Sequence, residues 1–220
     1  MIDFREVEKY HENNRIEAKK ALGGLPHSIW ETYSAFANTL GGIILLGVEE
    51  SRDKTLHAID LPDPEMLIED FWAVMGDGKK VSENILTESD VKIERVDGKR
   101  IVAITVPRAS RRQRPVYIDG NPFTGSYHRS GEGDCRCSRD EVLAMLRDAG
   151  IEEDRSVPLT AEDILRRMIF THLTKKRTAT VDEVADLLDI DVESAAALLV
   201  DMLERDIVET VSDGIYKMRD

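Results

Sequence analysis

Ala35-Phe36-Ala37-Asn38-Thr39-Leu40-Gly41-Gly42-Ile43-Ile44-Leu45-Leu46-Gly47-Val48-Glu49-Glu50 runs from the end of an apolar helix into a buried strand with no linker. Upstream of it, Ile29, Trp30, Tyr33, Ala37 and Leu40 fall near one helical stripe that stops at Gly41-Gly42. The uniformly apolar run Ile43 to Val48 has the length of a strand covered on both faces. Passing from one to the other without a loop requires residues free to take positive φ, and the two glycines meet that need.

Working outward, Phe4, Val7 and Tyr10 predict a helix over Ile2–His11, followed by the polar break Glu12-Asn13-Asn14 and a short strand over Arg15–Lys20. Pro62 to Pro64 open a further helix containing Met66, Leu67, Phe71 and Trp72. The alternating runs 91–96 and 100–106 about Asp97-Gly98 read as a hairpin. Residues 107–133, rich in Arg, Pro and Gly, read as loops around short strands at 116–118 and 126–129, and binding is expected there. Ser138 with Glu141 forms a capping box for a helix to Ala149. Interleaved helices and strands make residues 1–150 a mixed α/β domain.

The charged segment Gly150 to Pro158 is the expected linker. Beyond it, capping boxes at Thr160/Asp163 and Thr180/Glu183 start two helices, and Asp191 or Val192 starts a third reaching about Asp206. The apolar segments Ile207-Val208 and Ile215-Tyr216 flank the turn Ser212-Asp213-Gly214. Three helices and a hairpin predict a winged helix-turn-helix over residues 159–220, and the fold class is α+β.

The 220 residues carry a formal net charge of −13, about −5 over residues 1–150 and about −6 over 160–220. Polyanions are usually met by basic surfaces, so any contact with nucleic acid must be local. The dense basic cluster is Arg108, Arg111, Arg112 and Arg114. No apolar stretch approaches the roughly 20 residues of a membrane span. The start, with Asp3, Arg5, Glu6, Glu8 and Lys9, lacks the apolar core of a secretory signal. Cys135 and Cys137 are too close in sequence to staple distant elements, which fits a reducing compartment, the cytoplasm.

The 35–50 stretch closely resembles the signature of the Alba-like domain of Schlafen proteins and of many bacterial transcriptional regulators. Glu17-Ala18-Lys19, with Glu12 upstream, is similar to the family's acidic strand, and Tyr127-His128-Arg129-Ser130-Gly131 is similar to its Tyr-x-Arg-x-Gly segment. The resemblance covers roughly residues 1–150 and implies nucleic-acid binding. In some Schlafen relatives it further implies endoribonuclease action by three carboxylates, which here fall on Glu12, Glu17 and Glu50 with Lys19 beside them. Such chemistry needs oxygen ligands converging on Mg or Mn. Glu17 and Lys19, two apart on a strand, share a face. Two departures weaken the match, since Ala18 replaces the family's aromatic and Glu50 its usual Asp. The plain alternative is that these glutamates are solvated charges, with Glu17 paired to Lys19 or Arg15.

Arginine's planar fork suits phosphate oxygens, so Arg111, Arg112 and Arg114, with Arg129 directed to the same region, are the nucleic-acid-binding candidates. Tyr117, Tyr127 and His128 offer rings for stacking. His128, Cys135 and Cys137 are three of the four ligands that a closed zinc site needs, and no second pair is visible. The third helix of the winged-helix segment presents Asp191, Glu193, Asp201, Glu204 and Asp206 against the one cation Arg205. DNA phosphates would repel that face, and its apolar positions suit homo-oligomer or other protein contact. Three functions follow: a nucleic-acid-binding regulator or adaptor, a metal-dependent endoribonuclease, and a protein-assembly module.

Overall fold

The computed structural model describes residues 11–150, 160–212 and 214–219. The helix expected over Ile2–His11 and the linker expected over Gly150–Pro158 lie outside the described residues, apart from His11 and Gly150. The chain divides into two compact units, Met1–Cys137 and Ser138–Asp220. The helix after Ser138, expected from sequence in the first domain, packs with the second unit instead.

In the first unit, β1 (Ile16–Lys19), α1 (Ile29–Asn38) and β2 (Gly42–Leu46) follow the order read from the sequence. β3 (Val48–Glu50) and β4 (Leu56–Ala58) pair with each other, and α2 (Pro64–Gly76) starts at an Asp63 cap with Pro64 in its first turn. β5 (Val91–Val96) and β6 (Lys99–Val106) form the expected hairpin, with Asp97 and Gly98 both at positive φ as a tight two-residue turn demands. The sheet order is β1-β2-β6-β5, with β1 parallel to β2 and the other neighbours antiparallel. The expected strand at 116–118 is instead two isolated bridges, Val81 with Ile118 and Tyr117 with Ser126. After the single turn α3 (Pro122–Gly125), β7 (Tyr127–Ser130) and β8 (Gly133–Arg136) make a second hairpin.

α1 is buried on nearly every side, and Phe71 of α2 stacks on its Trp30 with ring centroids 5.4 Å apart. The helix-to-strand junction uses its glycines differently. Gly41 has φ +71°, donates its N–H to Phe36 O, and would put a Cβ 2.7 Å from Val106 O. Gly42 lacks the positive φ, but a Cβ there would sit 2.7 Å from the Phe36 ring. That close approach seats Phe36 under the sheet, where it meets the site described below.

In the second unit, α4 (Arg139–Gly150) precedes α5 (Ala161–Lys176), β9 (Thr178–Thr180), α6 (Val181–Leu188), α7 (Val192–Glu204), β10 (Val208–Ser212) and β11 (Ile215–Met218). The capping boxes at Thr160/Asp163 and Thr180/Glu183 both form. The strands pair antiparallel in the order β10-β11-β9, so β9 extends the expected terminal hairpin to three strands.

Candidate functional site

Thr32, Ser34 and Asn38 of α1, with Thr39 at its C-terminal cap, hold the segment from Val116 to Asp134. Asn38 donates through Nδ2 to Val116 O (2.8 Å) and Tyr127 O (3.0 Å), and its Oδ1 accepts from Val116 N–H at 2.8 Å. Ser34 Oγ donates to Val116 O at 2.7 Å and accepts from Tyr127 N–H at 3.0 Å. Thr39 Oγ1 accepts from Arg129 N–H at 2.9 Å, and Thr32 Oγ1 donates to Asp134 Oδ2 at 2.6 Å. A buried polar group is tolerated only when bonded, so this set fixes β7 along the helix.

β7 held in that place drives Arg129 inward. Its side chain has 0% exposure, and the guanidinium lies 5.2 Å from the Phe36 ring centroid. Nη1 donates to Asp134 Oδ1 and Nη2 to Glu17 Oε2, both at 2.7 Å, while Asn13 O accepts from Nη2 at 3.0 Å. Burial opposes the charge, yet the Asp134 and Glu17 carboxylates hold the arginine's pKa above its ordinary value. Arg129 therefore ties β1 to the β7–β8 hairpin. The expectation that it contacts nucleic acid is corrected, because a guanidinium without exposed surface cannot reach a phosphate.

Glu17 is fully engaged on both oxygens, since its Oε1 accepts from Lys19 Nζ at 3.0 Å. Lys19 also donates to Ser28 Oγ at 3.0 Å. The Lys19 pairing agrees with the plain alternative, but the two side chains are only 10% and 15% exposed and so are not solvated surface charges. Glu12 Oε1 accepts from Ala18 N–H at 2.9 Å, and burial, helped by the nearby charges of Glu17 and Glu50, raises its pKa. Glu50 Oε2 accepts from Lys54 Nζ at 3.1 Å, Lys54 also reaches Glu132 at 3.0 Å, and Glu50 Oε1 is buried without a hydrogen-bond partner. The three acids share one region electrostatically, but they are not drawn onto one point. Among the described residues of the first unit, no three His, Cys, Asp or Glu side chains bring ligand atoms within 4.8 Å of one another.

The raised Glu12 pKa carries a stability consequence. A carboxyl that binds its proton more tightly when folded than when unfolded destabilises the fold once ionised, and this cost fades as pH falls through the raised value. Glu12→Gln keeps an acceptor for Ala18 N–H and removes the charge. It is expected to raise the urea midpoint at pH 7 and to leave it nearly unchanged near pH 4. A lower midpoint at pH 7 would show that the ionised glutamate is favourable where it stands.

Arg108, Arg111 and Arg112 are exposed, whereas Arg114 is half-buried. Arg111–Gln113 form a single 3₁₀ turn closed by a Ser110/Gln113 capping box, and Ala109 N–H donates to Ala37 O at 2.9 Å. The turn is thus anchored to α1 while its arginines face outward. Tyr127 is buried and Tyr117 half-buried, so neither offers the open ring expected for stacking. Cys135 lies exposed on β8.

Sequence reasoning misses Asp134, Thr32, Ser28 and Lys54. Asp134 has a signal: a hairpin turning at Ser130–Gly133 sets it directly opposite Arg129. Lys54 lies four residues from Glu50 but in a loop that no periodicity marks, Ser28 lies nine residues from Lys19 across a turn, and Thr32 meets Asp134 across 102 residues.

The family model for Schlafen, AlbA_2 matches residues 12–138. Among solved structures, the N-terminal domain of a RecG-related protein from Nitrosomonas europaea is 29% identical, with a TM-score of 0.47 over 62% of this chain and 94% of that one. The DIP2311 protein from Corynebacterium diphtheriae is 20% identical, with a TM-score of 0.41 over 61% of this chain and 24% of that one. No curated protein matches.

Proposed function

Because this chain belongs to the Schlafen AlbA_2 family, we propose that it is a nucleic-acid-binding protein, a regulator or adaptor, that meets the polyanion through the arginine turn after β6. The observation that supports this is the outward set Arg108, Arg111 and Arg112 on a backbone turn pinned to α1, in a chain of net charge −13. Arginines held on an anchored turn offer forked donors to phosphate without the ordering cost of a floppy loop. The contact is to backbone phosphates, so it favours no sequence strongly. Gel-shift titration with labelled tRNA and duplex DNA at low salt tests it: retention of either is expected, and no retention of both at micromolar protein would sink the reading.

A metal-dependent endoribonuclease is the second reading, favoured by the partnerless buried Oε1 of Glu50 and the disfavoured charge of Glu12. Glu12 and Glu50 would be ligands for Mg or Mn, with Lys19 alongside. Glu17 does not fit that role, since Lys19 and Arg129 already take both of its oxygens. Manganese-dependent cleavage of the labelled tRNA, lost in Glu50→Gln, would move the assignment to this reading.

The second unit is read as a winged helix that serves protein contact, including homo-oligomer contact. Two observations support this: α7 bears Glu193, Asp201 and Glu204 with no Lys or Arg between Val192 and Glu204, and its Val192 and Val200 are exposed. No described helix is long and apolar enough to cross a membrane.

A further inference from the structure

A cavity of about 560 Å³ opens in the first unit at the start of α1, away from the arginine turn in sequence and formed by other residues. His27, Glu31, Lys80, Asp119, Tyr127 and Arg136 line it. Both of its carboxylates already have one protein partner: Lys80 Nζ lies 2.7 Å from Asp119, and Tyr127 O–H donates to Glu31 Oε1 at 3.3 Å. His27 and Arg136 are exposed and, among the described residues, make no hydrogen bond or ion pair with protein.

We propose that this cavity binds a ribonucleotide, with Arg136 and His27 taking its phosphate and the carboxylates of Glu31 and Asp119 accepting from its ribose hydroxyls or base amines. The volume is in the range of small-molecule sites and suits a mononucleotide. Its mixed charge selects the ligand class. A bare phosphate would be repelled by Glu31, whose charge the neutral Tyr127 hydroxyl does not cancel, and a cation would leave Arg136 unanswered. A nucleotide carries an anionic end and several N–H and O–H donors, and so meets both sets.

The cavity is coupled to the acidic strand through Ser28, which lines it and accepts from the Lys19 ammonium that pairs with Glu17. Tyr127 and Arg129 leave the same face of β7, one walling the cavity and the other pinning Glu17. An occupied cavity would thus be felt at β1 through Lys19.

Calorimetric titration of the full chain with AMP, GMP, CMP and UMP, with adenosine and inorganic phosphate as controls, tests the proposal. At least one nucleotide is expected to bind at least tenfold more tightly than either control. Arg136→Ala, an exposed position, should weaken that binding at least tenfold with an unchanged melting temperature. Arg108, Arg111 and Arg112 replaced together by Ala should leave it intact, so the result does not depend on the arginine turn. A trinucleotide competing more strongly than the mononucleotide would assign the site to a strand, and the reverse to a free nucleotide. No nucleotide binding at millimolar concentration, or equal binding by Arg136→Ala, would overturn the proposal.

Discussion

Arg129→Ala is expected to lower the unfolding free energy by about 3–5 kcal/mol, because removing one member of a buried ionic set leaves the others charged and uncompensated. Here two carboxylates lose the same partner. Glu17 would keep Lys19, but Asp134 would keep only Thr32, and the main-chain oxygen of Asn13 would lose the Arg129 bond at 3.0 Å. Arg129→Lys should recover little of the loss, since one ammonium cannot span Glu17, Asp134 and Asn13 with the fork geometry of a guanidinium. Glu17→Gln in the Arg129→Ala background should cost less than it does in the wild type, as expected for residues that act as a unit. Urea denaturation of the wild type and the four variants measures these terms. A cost below about 1 kcal/mol for Arg129→Ala, the level of an exposed ion pair, would mean that the arginine is not the tie described here.

Asn38→Ala is expected to cost about 2–6 kcal/mol, because it orphans two buried polar groups and each left unbonded costs about 1–3 kcal/mol. Val116 N–H and Tyr127 O would both be orphaned, while Val116 O would retain Ser34. Asn38→Asp separates bonding from volume. It keeps the acceptor for Val116 N–H, turns the two donor bonds into repulsions, and buries a charge, so it should be at least as damaging as Ala. If Asp were tolerated better than Ala, the donors of Asn38 would not be what holds β7 against α1.

Much of this architecture can be read from the chain because its signals are local. The Asn38-to-Gly42 junction, the Asp97-Gly98 turn and the capping boxes at Thr160 and Thr180 each state their geometry within a few residues. Even there one reason differs: Gly42 is required by the Phe36 ring and not by its φ. The site is less legible. Arg129 looks like a surface cation in sequence, and only the inward polar face of α1 explains why β7 presses it into the interior. Glu12 feels the charges of Glu17 and Glu50, but Arg129 and Lys19 claim both oxygens of Glu17. The division at Cys137 follows the tertiary packing of α4, and no shift in composition marks it.

Nucleic-acid affinity carried by a locally basic turn on an acidic protein is tested most directly by the salt dependence of binding. Wild type is compared, on labelled RNA and DNA, with the variant in which Arg108, Arg111 and Arg112 are replaced by Ala. Each phosphate engaged by a cation adds close to one unit to the slope of log affinity against log salt. The variant is expected to bind more weakly to every sequence, with a slope flatter by about one unit for each phosphate it no longer engages. Its melting temperature should be unchanged, because the replaced side chains are exposed. Equal affinities and equal slopes for the two proteins would contradict the account, leaving the arginine turn a solvated surface feature.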